Sequence, residues 1–210
     1  LITIGLNSKG NVVLGSGFLN EKELTLHSRH KKPEESVTLL YVGRLLKSKG
    51  IDDVIDIFKK VSEYSTNFKL IIVGDIDEHN PDSIDACDLS YIKKNLLIEF
   101  LGFVEDLNDV YLRSDVLLFP SKYREGVPRA IIESLSFGLT IITNDMPGCK
   151  ICVRSNGFLM NDSNQEILLK YLKELNNKIL LYNSLMSRKL FETNFSSNII
   201  YPQYEQIILK

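Results

Sequence analysis

Short apolar, β-branched runs alternate with amphipathic segments along this chain, and that alternation restricts its fold more than any other feature. The runs are Val37 to Gly43, Lys69 to Gly74, Leu97 to Leu101, Val116 to Pro120 and Thr140 to Thr143. Nearly continuous apolar strands suit a parallel sheet covered on both faces. Between the first two runs, Ile51, Val54, Ile55, Phe58 and Val61 recur at helical spacing, with Asp52 and Asp53 in the first turn. That spacing predicts a helix from about Lys49 to Tyr64. A second helix is predicted from Val127 to Phe137, with Pro128 near its first position and Gly138 as its stop. Right-handed crossovers then give an α/β fold: a doubly wound, Rossmann-like parallel sheet flanked by helices, with its ligand beyond the carboxyl ends of the strands.

The remaining segments fit around this unit. Residues 1–36 read as a polar connector, strand-like only at Asn11 to Leu14, and residues 37–210 as the folded domain. Asp75 to Lys94 is an excursion opened by the turn Asn80-Pro81-Asp82-Ser83. Gln165 to Lys210 reads as closing helices, with Ile167, Leu168, Tyr171, Leu172 and Leu175 on one face. A chain of 210 residues buries roughly 70 % of its unfolded surface and needs no metal or disulfide staple.

Composition excludes several functions. A net charge of -2, from 25 basic and 27 acidic residues spread along the chain, gives no case for a nucleic-acid partner. The longest apolar runs, about five residues, fall short of the roughly 20 that a membrane span requires. No secretory leader is legible, and a start at Leu1 rather than Met suggests a fragment. The odd cysteine count, Cys87, Cys149 and Cys152, argues for a reducing compartment. Cys149-x-x-Cys152 with His27 and His30 has the atoms for a zinc site, but the histidine pair is too closely spaced for a finger. Two buried thiols is the favoured reading.

The chemistry concentrates in Phe119-Pro120-Ser121-Lys122-Tyr123-Arg124-Glu125-Gly126-Val127-Pro128, which joins a strand end to a helix start. Unpaired N–H groups there carry partial positive charge and suit a phosphate. Gly126 allows close approach of backbone to ligand, and Glu125 reaches the mouth of the site. Glu133 follows eight positions later, placed to hold hydroxyls on the other side. By itself the pair has a plain structural alternative: Glu125 complements the helix dipole and Glu133 is a solvated helix residue.

Glu125-Gly126-Val127-Pro128-Arg129 through Glu133, followed by Gly138 to Cys149, resembles the Glu-x7-Glu signature of family 4 retaining glycosyltransferases. Tyr41-Val42-Gly43-Arg44-Leu45 with Lys49-Gly50 is similar to their first donor-side strand and loop. Leu101-Gly102-Phe103-Val104 and Ser114 to Ser121 continue the order, so the likeness runs from about Asn11 onward. The Asn80-Pro81-x-Ser83 turn and the Tyr-Arg-Glu-Gly-x-Pro-Arg loop resemble enzymes that build capsules, O-antigens and other bacterial glycans on lipid-linked acceptors. Lys150-Ile151 and Arg154-Ser155 depart from that pattern on the acceptor side.

The resemblance implies one half of a two-domain GT-B fold, the half that binds the nucleotide-sugar donor, with the acceptor-binding amino-terminal domain absent from this chain. It implies catalytic roles for Glu125 at the transferred sugar and for Arg44 and Lys49 at the donor diphosphate. Lys49 at a helix start opposes the dipole until an anion binds. Phe103 and Val104 would face the base, the N–H groups of Gly126 and Val127 would hold phosphate oxygens, and Glu133 would bind the ribose hydroxyls. Arg129 is a candidate for a phosphate or acceptor contact. Configuration would be retained, with no obligatory cofactor or metal, and the donor would be UDP-hexose or UDP-N-acetylhexosamine. The acceptor would be a glycan or lipid-linked sugar, and the enzyme would be cytoplasmic, with room for peripheral contact at the inner membrane face. Three other readings compete. One is a non-catalytic nucleotide-binding module of the same fold. Another is a metal-binding Asp75-Ile76-Asp77. The last is a dinucleotide dehydrogenase, disfavoured because Gly43-Arg44-Leu45-Leu46 stands where a Gly-x-Gly-x-x-Gly is needed.

Overall fold

The predicted apolar runs become five neighbouring strands, and a sixth joins them. In the computed structural model, which describes residues 15, 17, 18, 36–65, 67–124 and 126–209, the strands are β1 (Val37–Val42), β2 (Phe68–Val73), β3 (Ile98–Gly102), β4 (Val116–Phe119), β5 (Thr140–Asn144) and β6 (Gly157–Met160). They form one six-stranded parallel sheet in the order β3-β2-β1-β4-β5-β6. The helices are α1 (Ile51–Tyr64), α2 (Ala86–Lys94), α3 (Asn108–Leu112), α4 (Arg129–Ser136), α5 (Pro147–Lys150), α6 (Gln165–Glu174), α7 (Asn177–Asn194) and α8 (Ser197–Ile208).

Strand alternation sorts the core into two layers. Leu39, Tyr41, Leu70, Ile72, Leu118 and Ile142 pack with Val54 and Phe58 of α1 on one face. Leu40, Ile71, Leu117, Phe119 and Ile141 pack with Tyr111 of α3 and Ile131, Ile132 and Leu135 of α4 on the other. Asp115 ties the starts of the central strands together: Thr38 N–H donates to its Oδ2 at 2.7 Å, and its own N–H donates to the Thr38 carbonyl at 2.9 Å.

Three expectations are corrected. The first helix begins at Ile51, not Lys49, because Lys47–Lys49 is a 3-10 turn closed by Gly50 in the left-handed region, φ 79°. Lys49 therefore stands just outside α1, immediately before its N-cap, where the dipole preference is weaker but still acts until an anion binds. Strand β6 was not among the predicted runs; Gly157 to Met160 are extended by pairing with β5 from Ile141↔Gly157 onward. Ile167 is 60 % exposed, whereas Leu168 and Leu172 are buried. It lies at the edge of the α6 stripe, where a turn of about 100° per residue carries it off the packed face.

The excursion after β2 folds back onto the β1 loop, with Leu46 bridging Ser83. Of the connector, Phe18 pairs with Ser196, and Tyr204 OH donates to the Gly15 carbonyl at 2.9 Å, so this piece packs on the α7–α8 corner. The strand-like Asn11 to Leu14 and the histidines His27 and His30 lie outside the described residues. Cys149 and Cys152 are fully buried free thiols and Cys87 is exposed. Burial pushes the Cys152 thiol far above its usual range. In the native protein a thiol reagent should consume one equivalent quickly, at Cys87, and all three only on unfolding; rapid reaction of two or more would contradict this burial.

Candidate functional site

Strands β1 and β4 are neighbours whose crossovers leave in opposite directions, which opens a crevice at their carboxyl ends. The loops that line it are cross-tied. Ser48 N–H donates to Asp82 Oδ2 at 3.0 Å, and the Ser48 hydroxyl bonds the same oxygen. These bonds hold the Asp82 carboxyl below its usual range. Lys122 N–H donates to the Ser48 carbonyl at 2.9 Å, while its Nζ meets Asp52 at 3.2 Å and Asp53 at 2.9 Å. Asn144 Nδ2 donates to the carbonyls of Pro120 and Ser121 at 3.0 and 3.2 Å. The loops after β1, β2, β4 and β5 thus form one rim.

On or beside this rim the structure places Arg44, Lys49, Gly126 and Val127 of the residues that the sequence singles out. Arg44 is exposed after β1, its Nη1 4.0 Å from Asp77 Oδ2, and its backbone carbonyl accepts from the buried Tyr41 OH at 2.7 Å. Lys49 Nζ lies 5.1 Å from the centre of the Tyr123 ring, a cation–π contact that joins the β1 and β4 loops. Gly126 and Val127 lead into α4, with Pro128 as its N-cap, so the amides around the first turn are those that a helix leaves without intrahelical carbonyls. The Val127 side chain is buried in the core and only its backbone is on offer. Glu125 lies outside the described residues. Phe103 and Val104 sit apart, beyond β3, two strands from β1. Phe103 is 72 % exposed, and Val104 packs against the core.

Glu133 is not the solvated helix residue of the structural alternative. Its side chain is 12 % exposed, with Oε2 accepting from Tyr111 OH at 2.9 Å and Oε1 from Arg129 Nε at 2.5 Å. Arg129 is largely exposed, one turn earlier on the same helix, and such an i,i+4 pair is worth about 0.3–0.5 kcal/mol. Tyr111 is buried and stacks on Phe137, centroids 5.3 Å apart. Burial first, then the Glu133 charge and hydrogen bond, push the Tyr111 phenol well above its usual range. The folded state therefore holds this proton more tightly than the unfolded chain, so its contribution is complete below about pH 10 and is lost as pH rises beyond. Melting temperatures at neutral and alkaline pH should show a smaller alkaline fall for Tyr111→Phe than for the native chain.

No cluster of three metal-ligating side chains occurs among the described residues. Asp75 uses its carbonyl to accept from Leu45 N–H at 3.0 Å, and Asp77 faces Arg44 and Asn80. A hollow of about 560 Å³ lined by Val37, Tyr64, Phe68 and Lys173 lies at the opposite, amino ends of the strands and touches none of the rim. Sequence reasoning missed Tyr111, Lys122 and Asp82. No spacing marks them, because each meets its partner between elements far apart along the chain.

A doubly wound sheet whose switch point carries two cations, Arg44 and Lys49, beside a helix start has the features of a nucleotide-binding type of α/β fold. The chain belongs to the glycosyl transferases group 1 family, whose profile matches residues 22–186. It is 26% identical over 211 residues to the capsular polysaccharide biosynthesis glycosyltransferase CapM of Staphylococcus aureus, covering 99% of this chain and 54% of that protein. The chain spans about half the length of the curated relatives it matches. Its fold is that of solved glycosyltransferases. Anabaena HepE in complex with UDP-glucose superposes with TM-score 0.69 at 19% identity, covering 83% of this chain and 49% of that one. The C-terminal domain of the group 1 protein LpcC from Francisella tularensis gives 0.61 at 18% identity, covering 83% and 94%. Among the described residues no helix is long and apolar enough to cross a membrane.

Proposed function

We propose that this chain is the donor-binding half of a retaining glycosyltransferase that moves a sugar from UDP-hexose or UDP-N-acetylhexosamine onto a glycan or lipid-linked acceptor in cell-surface polysaccharide synthesis. The observation that carries the reading is the convergence of Arg44, Lys49 and the start of α4 on one crevice at the β1/β4 switch point. CapM, a capsular polysaccharide biosynthesis glycosyltransferase, and HepE, solved with UDP-glucose, agree with it in chemistry.

In this reading the nucleoside diphosphate lies across the switch point. Arg44 and Lys49 meet the negative charge that grows on the diphosphate as the glycosidic bond breaks, and the N–H groups of Gly126 and Val127 donate to its oxygens. Glu133 takes the ribose, Glu125 orients the transferred sugar, and Phe103 and Val104 border the base. Departing phosphate oxygen assists deprotonation of an acceptor that attacks from the same face, which retains configuration. The acceptor is held by a second domain of the full enzyme, working in the cytoplasm at the inner face of the membrane.

A thermal-shift panel of UDP, GDP, ADP and NAD on the 210-residue chain tests this. UDP at a hundredfold excess over its Kd should stabilise the fold by about 2.7 kcal/mol, a rise of roughly 5–10 °C at this size. A rise with NAD and none with UDP or GDP would overturn the proposal.

A further inference from the structure

Resting on the donor-site reading above, we infer that Tyr111 is a positioning residue for nucleotide recognition: its hydroxyl fixes the Glu133 carboxylate for the ribose hydroxyls. A carboxylate offers about four lone-pair sites on its two oxygens. Tyr111 OH takes one on Oε2 and Arg129 Nε one on Oε1, which leaves an acceptor site on each oxygen for a vicinal diol. The two anchors are not equivalent. Arg129 belongs to α4 and moves with Glu133, whereas Tyr111 comes from α3, 22 residues away, and ties the carboxylate to a second element. Tyr111 is itself held by burial, at 2 % exposed. Glu133, at 12 % side-chain exposure, keeps only a narrow open edge. A carboxylate held at both oxygens presents its remaining lone pairs in one orientation, and a diol bound there loses no affinity to reorganisation.

The test compares UDP with 2′,3′-dideoxyuridine 5′-diphosphate by calorimetry on the native chain, Tyr111→Phe and Phe137→Leu. The native chain should prefer UDP by about tenfold or more, the range for hydrogen bonds to a charged acceptor. Tyr111→Phe keeps the stacked ring and should reduce that preference several-fold. Phe137→Leu disturbs packing without touching the hydroxyl; it should lower the melting temperature and leave the preference intact. An unchanged preference in Tyr111→Phe overturns the inference, as does an equal loss in Phe137→Leu, which would make the role one of packing. Native binding of UDP without discrimination removes the ribose contact and the inference with it. Absence of any UDP binding instead defeats the donor-site reading itself.

Discussion

Replacing Arg44 and Lys49 together by glutamine should weaken UDP binding by about a hundredfold while leaving uridine binding nearly unchanged. Each cation in contact with phosphate forms charge-assisted hydrogen bonds worth about 1.5–3 kcal/mol. The lower figure applies here, because Arg44 is 61 % exposed and the crevice is open to solvent. Two contributions of that size amount to about 3 kcal/mol, or roughly two decades in Kd. The Lys49 contact with Tyr123 does not compete strongly, since a cation–π pair near the surface contributes only about 0.5–1 kcal/mol. Calorimetry at low and high salt checks this result. The native affinity should fall with salt and the double variant's much less. UDP affinity undiminished in the variant would move the phosphate cradle away from the β1 loop.

A large effect on stability is expected at Gly50→Ala. Gly50 has φ 79°, and a Cβ there would collide with the Pro120 carbonyl and carbon, which are backbone of the β4 loop and cannot swing aside. The left-handed conformation alone costs an alanine about 1–2 kcal/mol. With displacement of the β4 loop added, the loss should reach about 3 kcal/mol, or a melting temperature lower by roughly 6–12 °C. Gly102→Ala separates the two terms: φ is 63° there, but nothing lies within 4 Å of the added atom. It should lose only the conformational part. Because Gly50 and Pro120 are where the β1 and β4 loops touch, Gly50→Ala should also weaken UDP binding. Equal melting temperatures for the two variants would show that the loops are not in contact.

Much of the fold was readable before any coordinates. Five of the strands, α1 and α4 lie within a residue or two of the predicted spans. Apolar runs buried on both faces, and stripes such as Ile51, Val54, Ile55, Phe58 and Val61, are local signals of burial. Strand β6 gave no such signal, because Gly157, Phe158 and Leu159 are only partly buried and owe their extension to β5. Lys49 was assigned to α1 for a similar reason. At Gly50 the chain turns through the left-handed region, where a Cβ would meet the Pro120 carbonyl, and a one-dimensional pattern carries no information about that contact.

The candidate site divides along the same line. Residue order alone determined which segments carry cations, which glycine precedes a helix start and that Glu133 lies on that helix, since strand ends and helix starts are local events with local composition. Tertiary structure decided the rest: that the β1 and β4 loops are neighbours, that Lys122 bridges to Asp52 and Asp53, and that Glu133 is gripped by Tyr111 rather than solvated. The side-chain pairings among them span 22 to 70 residues. The free energy of such a contact depends on burial and approach in three dimensions, which no spacing along the chain encodes.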